Sequence, residues 1–198
     1  MTTQSATVYQ TVGLKLSPSL LSKKMVCPAY LPSTMSDKDR FHLMGIHALT
    51  VLKVIARHLA EGYILECIEA KVYNGRIDLI FRNGVDGKKR RVEVKSAKKI
   101  HLYAKYQASI YWNGRDELVV SNSAADIVLS RQFIEDAIKL AKETDAFISE
   151  HPEEATKTYR PHNGVCRICG NHECPSKSTT ISGQYCANDD PSVAGGRA

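Results

Sequence analysis

Between Asp37 and Gly62 the apolar residues Phe41, Met44, Ala48, Val51, Ile55 and Leu59 recur at helical spacing, and Ser36 or Asp37 is available to cap the run. The pattern predicts one long helix, DKDRFHLMGIHALTVLKVIARHLAEG, stopped by Gly62. From Tyr63 the period changes to two. ILECIEAKVY and RIDLIFR, joined by Asn74-Gly75, read as a hairpin because Asn-Gly suits the tight primed turn. A second turn, NGVDGKK, leads into a third antiparallel strand, RRVEVKSA. Alternation sets Asp78 on the strand face of Arg76 and Ile80, and Glu93 on the face of Lys95.

Lys99 to Trp112 lacks Pro and Gly and spaces Leu102, Tyr106 and Ile110 for a helix closed by Asn113-Gly114. Short strands follow at Glu117 to Ser121 and Asp126 to Leu129. Ser130 then caps a last amphipathic helix with Phe133, Ile134, Ala137, Ile138, Ala141 and Phe147 or Ile148 on its buried side. At the other end, Ser17-Pro18-Ser19 opens a short helix through Leu20, Leu21 and Met25 that ends near Cys27-Pro28. Residues 1–16 carry little periodicity and read as a lead-in or a peripheral strand. The chain divides into an N-terminal segment (1–36), a core (37–151), a stretch of linker and cysteines (152–175) and a polar tail (176–198) that reads as disordered. Helices and strands together put it in the α/β (α+β) class.

The length of 198 residues and a 43% hydrophobic content suit one substantial core with appendages. No run approaches the roughly 18 consecutive apolar residues that span a bilayer. The start MTTQSATVYQ lacks the order of a signal peptide. The expectation is a cytoplasmic protein with no membrane partner. Lys and Arg number 27 against 21 Asp and Glu, a net charge of +6 that suits a polyanionic partner. Lys88, Lys89, Arg90, Arg91, Lys95, Lys98, Lys99 and Lys105 crowd into one stretch, although the first four read equally as a solvated hairpin tip.

That stretch also carries chemistry. Hydrolysing a phosphodiester calls for a divalent cation with oxygen ligands, here Mn2+ or Mg2+. Asp78 and Glu93 supply carboxylates from neighbouring strands, and the carbonyl of Val94 adds a third oxygen. Lys95 shares the face of Glu93, where it can orient or deprotonate a water and stabilise charge building on phosphate. Gln107 and Tyr111, four apart, share one face of the helix that follows. Each residue alone has an ordinary structural explanation; the fifteen-residue step from Asp78 to Glu93, matched by strand, turn and strand, is what joins them.

Gly75-Arg76-Ile77-Asp78, Val92-Glu93-Val94-Lys95 and Gln107-Ala108-Ser109-Ile110-Tyr111 resemble the motifs of RecB-family nucleases in the PD-(D/E)xK superfamily. The resemblance implies a restriction-endonuclease-like core, a mixed sheet flanked by helices. It further implies a phosphodiesterase acting on single-stranded or frayed DNA ends, as a 5′ to 3′ exonuclease with possible endonuclease activity. Arg76, Lys98, Lys99 and Lys105 would contact the DNA, and Gln107 and Tyr111 would touch it and brace the site. The family also carries a histidine on an upstream helix that reaches the metal; Gly45-Ile46-His47 resembles it, with His42 the alternative.

Cysteines are uneven along the chain. Cys166-x2-Cys169-x4-Cys174-Pro175 has the spacing of thiolate ligands to one centre, and Cys27, Cys186 and His172 are candidates for the fourth position. Cys67, alternating into an apolar strand, reads as core. One subgroup of RecB-like nucleases places one cysteine before the nuclease core and three after it, around an iron-sulfur cluster. The segment LLSKKMVCPAYL resembles its leading piece, which implies Cys27, Cys166, Cys169 and Cys174 as ligands, closing the two ends of the chain over the core. The cluster would be 4Fe-4S, with 2Fe-2S or zinc left open by a Cys166 to Cys174 spacing one residue tighter than the common one. This arrangement is typical of CRISPR-associated RecB-like nucleases that trim DNA for spacer acquisition, and of similar viral proteins. It therefore implies CRISPR adaptation proteins as partners.

Overall fold

The computed structural model describes residues 13–72, 75–160 and 162–175. Asn74 of the expected Asn74-Gly75 turn, most of the lead-in, and the polar tail at 176–198 with Cys186 lie outside the described residues. In chain order the elements are α1 (Pro18–Val26), α2 (Asp37–Ala60), β1 (Tyr63–Val72), β2 (Gly75–Asn83), β3 (Lys89–Val94), α3 (Leu102–Ile110), β4 (Glu117–Ser121), β5 (Asp126–Val128), α4 (Arg131–Glu150), α5 (Pro152–Lys157) and α6 (Asn163–Cys166).

Strand order follows chain order, β1-β2-β3-β4-β5. All neighbours are antiparallel except β3 and β4, which run parallel with Val92 beside Val119 and Glu93 beside Val120. A parallel pair needs a crossover, and α3 supplies it. The protein is thus a mixed α/β molecule built on a five-stranded mixed sheet. Alternation divides the core between the two faces: Leu79, Phe81, Val92, Val94 and Val119 pack with Val54 of α2, whereas Leu118 and Val120 pack with Ala104, Ala108, Ile134 and Ile138 of α3 and α4.

The helix starts follow their caps. Ser36 accepts from the Asp39 amide at 3.2 Å and Ser130 from the Phe133 amide at 3.2 Å. Gly62, with φ of +85°, turns the chain out of α2 into β1. Arg57 of α2 grips both carboxylate oxygens of Asp126 and the carbonyl of Asn122, tying the helix to the far strands. The buried carboxylate of Asp145 on α4 accepts the amides of Lys15 and Leu16 at 2.9 and 3.0 Å, seating the chain just ahead of α1. Leu21 and Met25 of α1 then pack on Ile110, Ala137 and Ala141.

Three expectations change. The crossover helix begins at Leu102, not Lys99, because the Asn122 amide donates to the carbonyls of Ala97 and Lys98 at 3.1 and 2.9 Å and holds that stretch in a bend outside the helix. The stretch of linker and cysteines at 152–175 contains α5 and α6, with Ala155 and Val165 buried. Cys67 is exposed: β1 is an edge strand, and a register shift between Leu65 and Cys67 turns the side chain away from the core.

By length and composition α2 is also apolar enough to cross a membrane, with a mean hydropathy of 1.3 over its best eighteen residues. Thr50, Val54 and His58 are its buried residues, while Phe41, Met44, Leu49 and Leu52 remain exposed.

Candidate hydrolytic site and cysteine pocket

The ladder between β2 and β3 pairs Leu79 with Val92. One residue further on, the carboxylate of Asp78 takes over from the backbone, its Oδ2 accepting the Val94 amide at 2.6 Å. This fixes Asp78 beside β3 and leaves Oδ1 facing Nε2 of His47 at 3.5 Å. His42, the other helix candidate, is exposed. Ser96, which sequence reasoning passed over, lies 3.4 Å from Nδ1 of His47 and steadies the ring from its other side.

Glu93 and Lys95 form the centre. The Lys95 ammonium donates to Oε1 of Glu93 at 2.7 Å and to Oε1 of Gln107 at 2.9 Å. Tyr111 accepts from the Gln107 amide at 3.3 Å, so Glu93, Lys95, Gln107 and Tyr111 are in one chain of contacts. Gly75 explains itself here: a Cβ on it would stand 2.8 Å from both Cε1 and Oη of Tyr111. The first residue of Gly75-Arg76-Ile77-Asp78 is therefore the seat of the tyrosine ring.

Burial pushes the Glu93 carboxyl up to about 7, against the pull of Lys95, and the neighbouring Asp78 charge adds to the rise. For Lys95, burial works against the charge, but Glu93 outweighs it and holds the ammonium above the ordinary lysine range. The hydrogen bond to Asp78 raises His47 despite partial burial.

Among the described residues no three His, Cys, Asp or Glu side chains are gathered as a finished metal cage. The donors at the strand ends nevertheless fit a hard cation on one observation. Glu93 is 3% exposed, and its Oε2 has no hydrogen-bond partner among the described residues. A buried carboxylate oxygen without a donor is costly while ionised, and a proton or a cation beside it offsets that cost.

The basic residues separate into two groups. Lys88, Lys89, Arg90 and Arg91 stand at the start of β3, away from Glu93. They are paired with Asp86, Glu66, Glu117 and Asp116 respectively, and Arg90 also lies over the Tyr63 ring at 4.2 Å. Lys88 and Lys89 are a solvated hairpin tip, whereas Arg90 and Arg91 are mostly covered, their side chains 13% and 15% exposed. Lys98 and Lys99 are exposed and Lys105 half-buried on the segment leading into and along α3, while Arg76 is exposed and paired with Glu69 at 2.9 Å. Glu69 has a positive φ of 50° on β1, an uncommon backbone for a glutamate. Nothing in the alternating pattern signalled it.

Cys27, Cys166, Cys169 and Cys174 line one small pocket with Ala29 and Val165. Three of the sulfurs receive backbone amides: Arg160 to Cys27 at 3.5 Å, His162 to Cys166 at 3.3 Å and Asn171 to Cys169 at 3.4 Å. Amides aimed at sulfur favour thiolate, the form that binds metal. Burial meanwhile pushes the Cys27 thiol up, so the isolated pocket prefers it protonated. Lys24, close enough to feel Cys27 and Cys169, supplies a nearby cation. The segments that follow α1 and α6 close directly on each other, Gly170 donating to the Leu31 carbonyl at 2.8 Å. A Cβ on Gly170 would meet the Pro32 carbonyl oxygen at 2.6 Å. His172, the other candidate from the described part of the chain, is not among the residues lining the pocket.

The cluster around Lys95 and the cysteine pocket share a wall. Tyr30 and Tyr103 pack around Cys27 and Val165, and Tyr103 also borders the cavity that contains His47, Asp78 and Lys95. Comparison with known protein families, curated proteins and solved structures finds no match for this chain.

Proposed function

We propose that the chain is a metal-dependent DNA nuclease with a restriction-endonuclease-like core, acting on single-stranded or frayed DNA ends. The observation that carries this reading is the Lys95 ammonium held between Glu93 and Gln107, beside an Asp78 already turned toward His47. Asp78, Glu93, His47 and the Val94 carbonyl would hold Mn2+ or Mg2+. Such an ion polarises the phosphoryl oxygen and lowers the pKa of a bound water.

The chain's own residues do the rest. An ammonium held above the ordinary lysine range is a poor proton acceptor, which supports Lys95 as the group that orients water and stabilises charge on phosphate rather than as the base. Gln107 keeps that ammonium aimed, and Tyr111 keeps Gln107 in place. Lys98, Lys99 and Lys105 offer phosphate contacts on the approach. Cys27, Cys166, Cys169 and Cys174 would hold an iron-sulfur cluster or zinc that ties α1 to the end of the chain. The resemblance of the motifs supports a part in CRISPR spacer acquisition; DNA repair or viral replication would use the same residues.

A second reading, a non-catalytic nucleic-acid-binding subunit stapled by zinc, draws on the engagement of Asp78 Oδ2 by the Val94 amide, a structural use of that carboxylate. Purified protein incubated with end-labelled single strands and Mn2+ or Mg2+ separates the two. Cleavage by wild type that disappears in Asp78→Ala and Lys95→Ala is the expected result. Equal cleavage by all three would remove the site assignment, and an inert wild type would leave the binding subunit.

A further inference from the structure

A cavity of about 870 Å3 opens between α2 and β1, and its lining is of two kinds. At one place stand His47, Asp78 and Lys95. The remainder is largely apolar, formed by Met35, Met44, Ala48, Leu52, Ile68 and Tyr103. Met44 and Leu52 come from successive parts of α2 and are 60% and 61% exposed, and Ile68 on β1 is 54% exposed. Among the described residues nothing covers these three side chains, because α2 meets the sheet through Val51, Val54, Ile55 and His58 instead.

The geometry points to this apolar wall as a nucleobase-binding surface, on which the unstacked bases of a single DNA strand lie while its phosphate backbone passes Lys95 and Asp78. The inference rests on the nuclease reading and adds to it the part of the substrate that selects an unpaired strand. In a duplex the base faces are stacked inward and only base edges and the backbone are exposed, so an apolar wall beside the cluster has no base face to meet. Bases freed from stacking offer flat apolar faces whatever their identity, and binding of this kind ignores sequence.

Continuity of the wall with the catalytic side chains decides the occupant. A second copy of the chain or a lipid surface filling the cavity would cover Asp78 and Lys95. A lipid surface would moreover draw the carboxylates of Asp78 and Glu69, both in the cavity lining, out of water. A polyanion with apolar faces satisfies both parts of the lining, and the net charge of +6 favours its approach.

The test compares a fluorescein-labelled oligothymidylate with an abasic strand of the same length, without divalent cation so that nothing is cleaved. Wild type should bind the thymidine strand about tenfold more tightly, the difference being base contact alone. Leu52→Gln and Met44→Gln should bring that ratio toward one while leaving abasic affinity unchanged. Leu49→Gln, an exposed apolar position of α2 outside the cavity lining, should leave the ratio as in wild type. Thermal melts of each variant check the fold.

Equal affinity of wild type for both strands overturns the inference, as does identical behaviour of all three variants. So does a Leu52→Gln protein that loses self-association in sedimentation, or flotation with anionic vesicles, while its strand preference is unchanged. Asp78-dependent cleavage with an abasic ratio of one removes the base wall and keeps the nuclease; base-dependent binding by a protein that never cleaves does the reverse.

Discussion

Lys95 and Gln107 meet at 2.9 Å across the gap between the third strand and the crossover helix, and the same ammonium reaches Glu93 at 2.7 Å. A lysine held from two elements cannot swing freely, so its position is a property of the fold rather than of one strand.

Lys95→Ala should lower the single-turnover cleavage rate by at least about 100-fold, because it removes the positioned charge and leaves Glu93 buried alone. Gln107→Ala leaves the Glu93 contact intact and should cost about tenfold, chiefly in rate rather than in strand affinity. A Gln107→Ala enzyme as fast as wild type would mean that Glu93 alone aims the lysine.

Gly75→Ala tests the seat of Tyr111. A methyl group 2.8 Å from the ring has to displace it, and the contact to Gln107 goes with it. Urea denaturation should register a loss of about 1–3 kcal/mol. Tyr111→Phe, which keeps the ring and loses only the hydroxyl, should be milder. Equal denaturation midpoints for Gly75→Ala and wild type would show that the ring moves at no cost.

Much of this was readable from the residues. The alternation from Tyr63 onward gave three strands, and caps at Ser36 and Ser130 gave both long helices, because these signals are local. Asp78, Glu93, Lys95, Gln107 and Tyr111 come together since strand, turn, strand and helix bring them there with little freedom. Ser96 and Glu69 were invisible: one acts through a contact to a helix 49 positions away, the other through a backbone angle. Cys67 was misread because period two assigns a face only while register is constant, and a bulge breaks it. The exposed face of α2 was equally hidden, since helical spacing says which residues share a side and not whether anything covers it.

Cation affinity should rise with pH. The Glu93 carboxyl, raised in the fold from 4.5 to about 7, keeps its proton longer than in the unfolded chain. Its contribution to the stability of the cation-free protein is therefore present at low pH and declines as pH climbs toward 7. A cation needs the carboxylate bare and His47 neutral, and both groups are shifted upward, so both losses of a proton favour binding. Calorimetry with Mn2+ should show binding strengthened about tenfold or more between about pH 6 and about pH 8. Affinity flat across that interval would count against Glu93 as a ligand.

The cysteine pocket makes a prediction visible by eye. Protein purified without oxygen should be brown and absorb near 400 nm if an iron-sulfur cluster is held, and colourless with stoichiometric zinc otherwise. Cys27→Ser and Cys169→Ser should both remove the bound metal. Because the closure joins residues more than 130 positions apart, each should lower Tm by on the order of 10 °C. Full metal content in both variants would assign the thiols to packing alone.

The bridge between Pro32 and Cys169 carries a consequence for how the molecule is made. Every strand of the sheet, and α3 with it, is synthesised before Cys166. Synthesis thus delivers the residues around Lys95 first and the later cysteines last, so Cys27 at the end of α1 is made well before its partner thiols. A nascent chain stalled after α4 would already contain His47, Asp78, Glu93, Lys95, Gln107 and Tyr111, but with Cys27 still waiting for the three later cysteines.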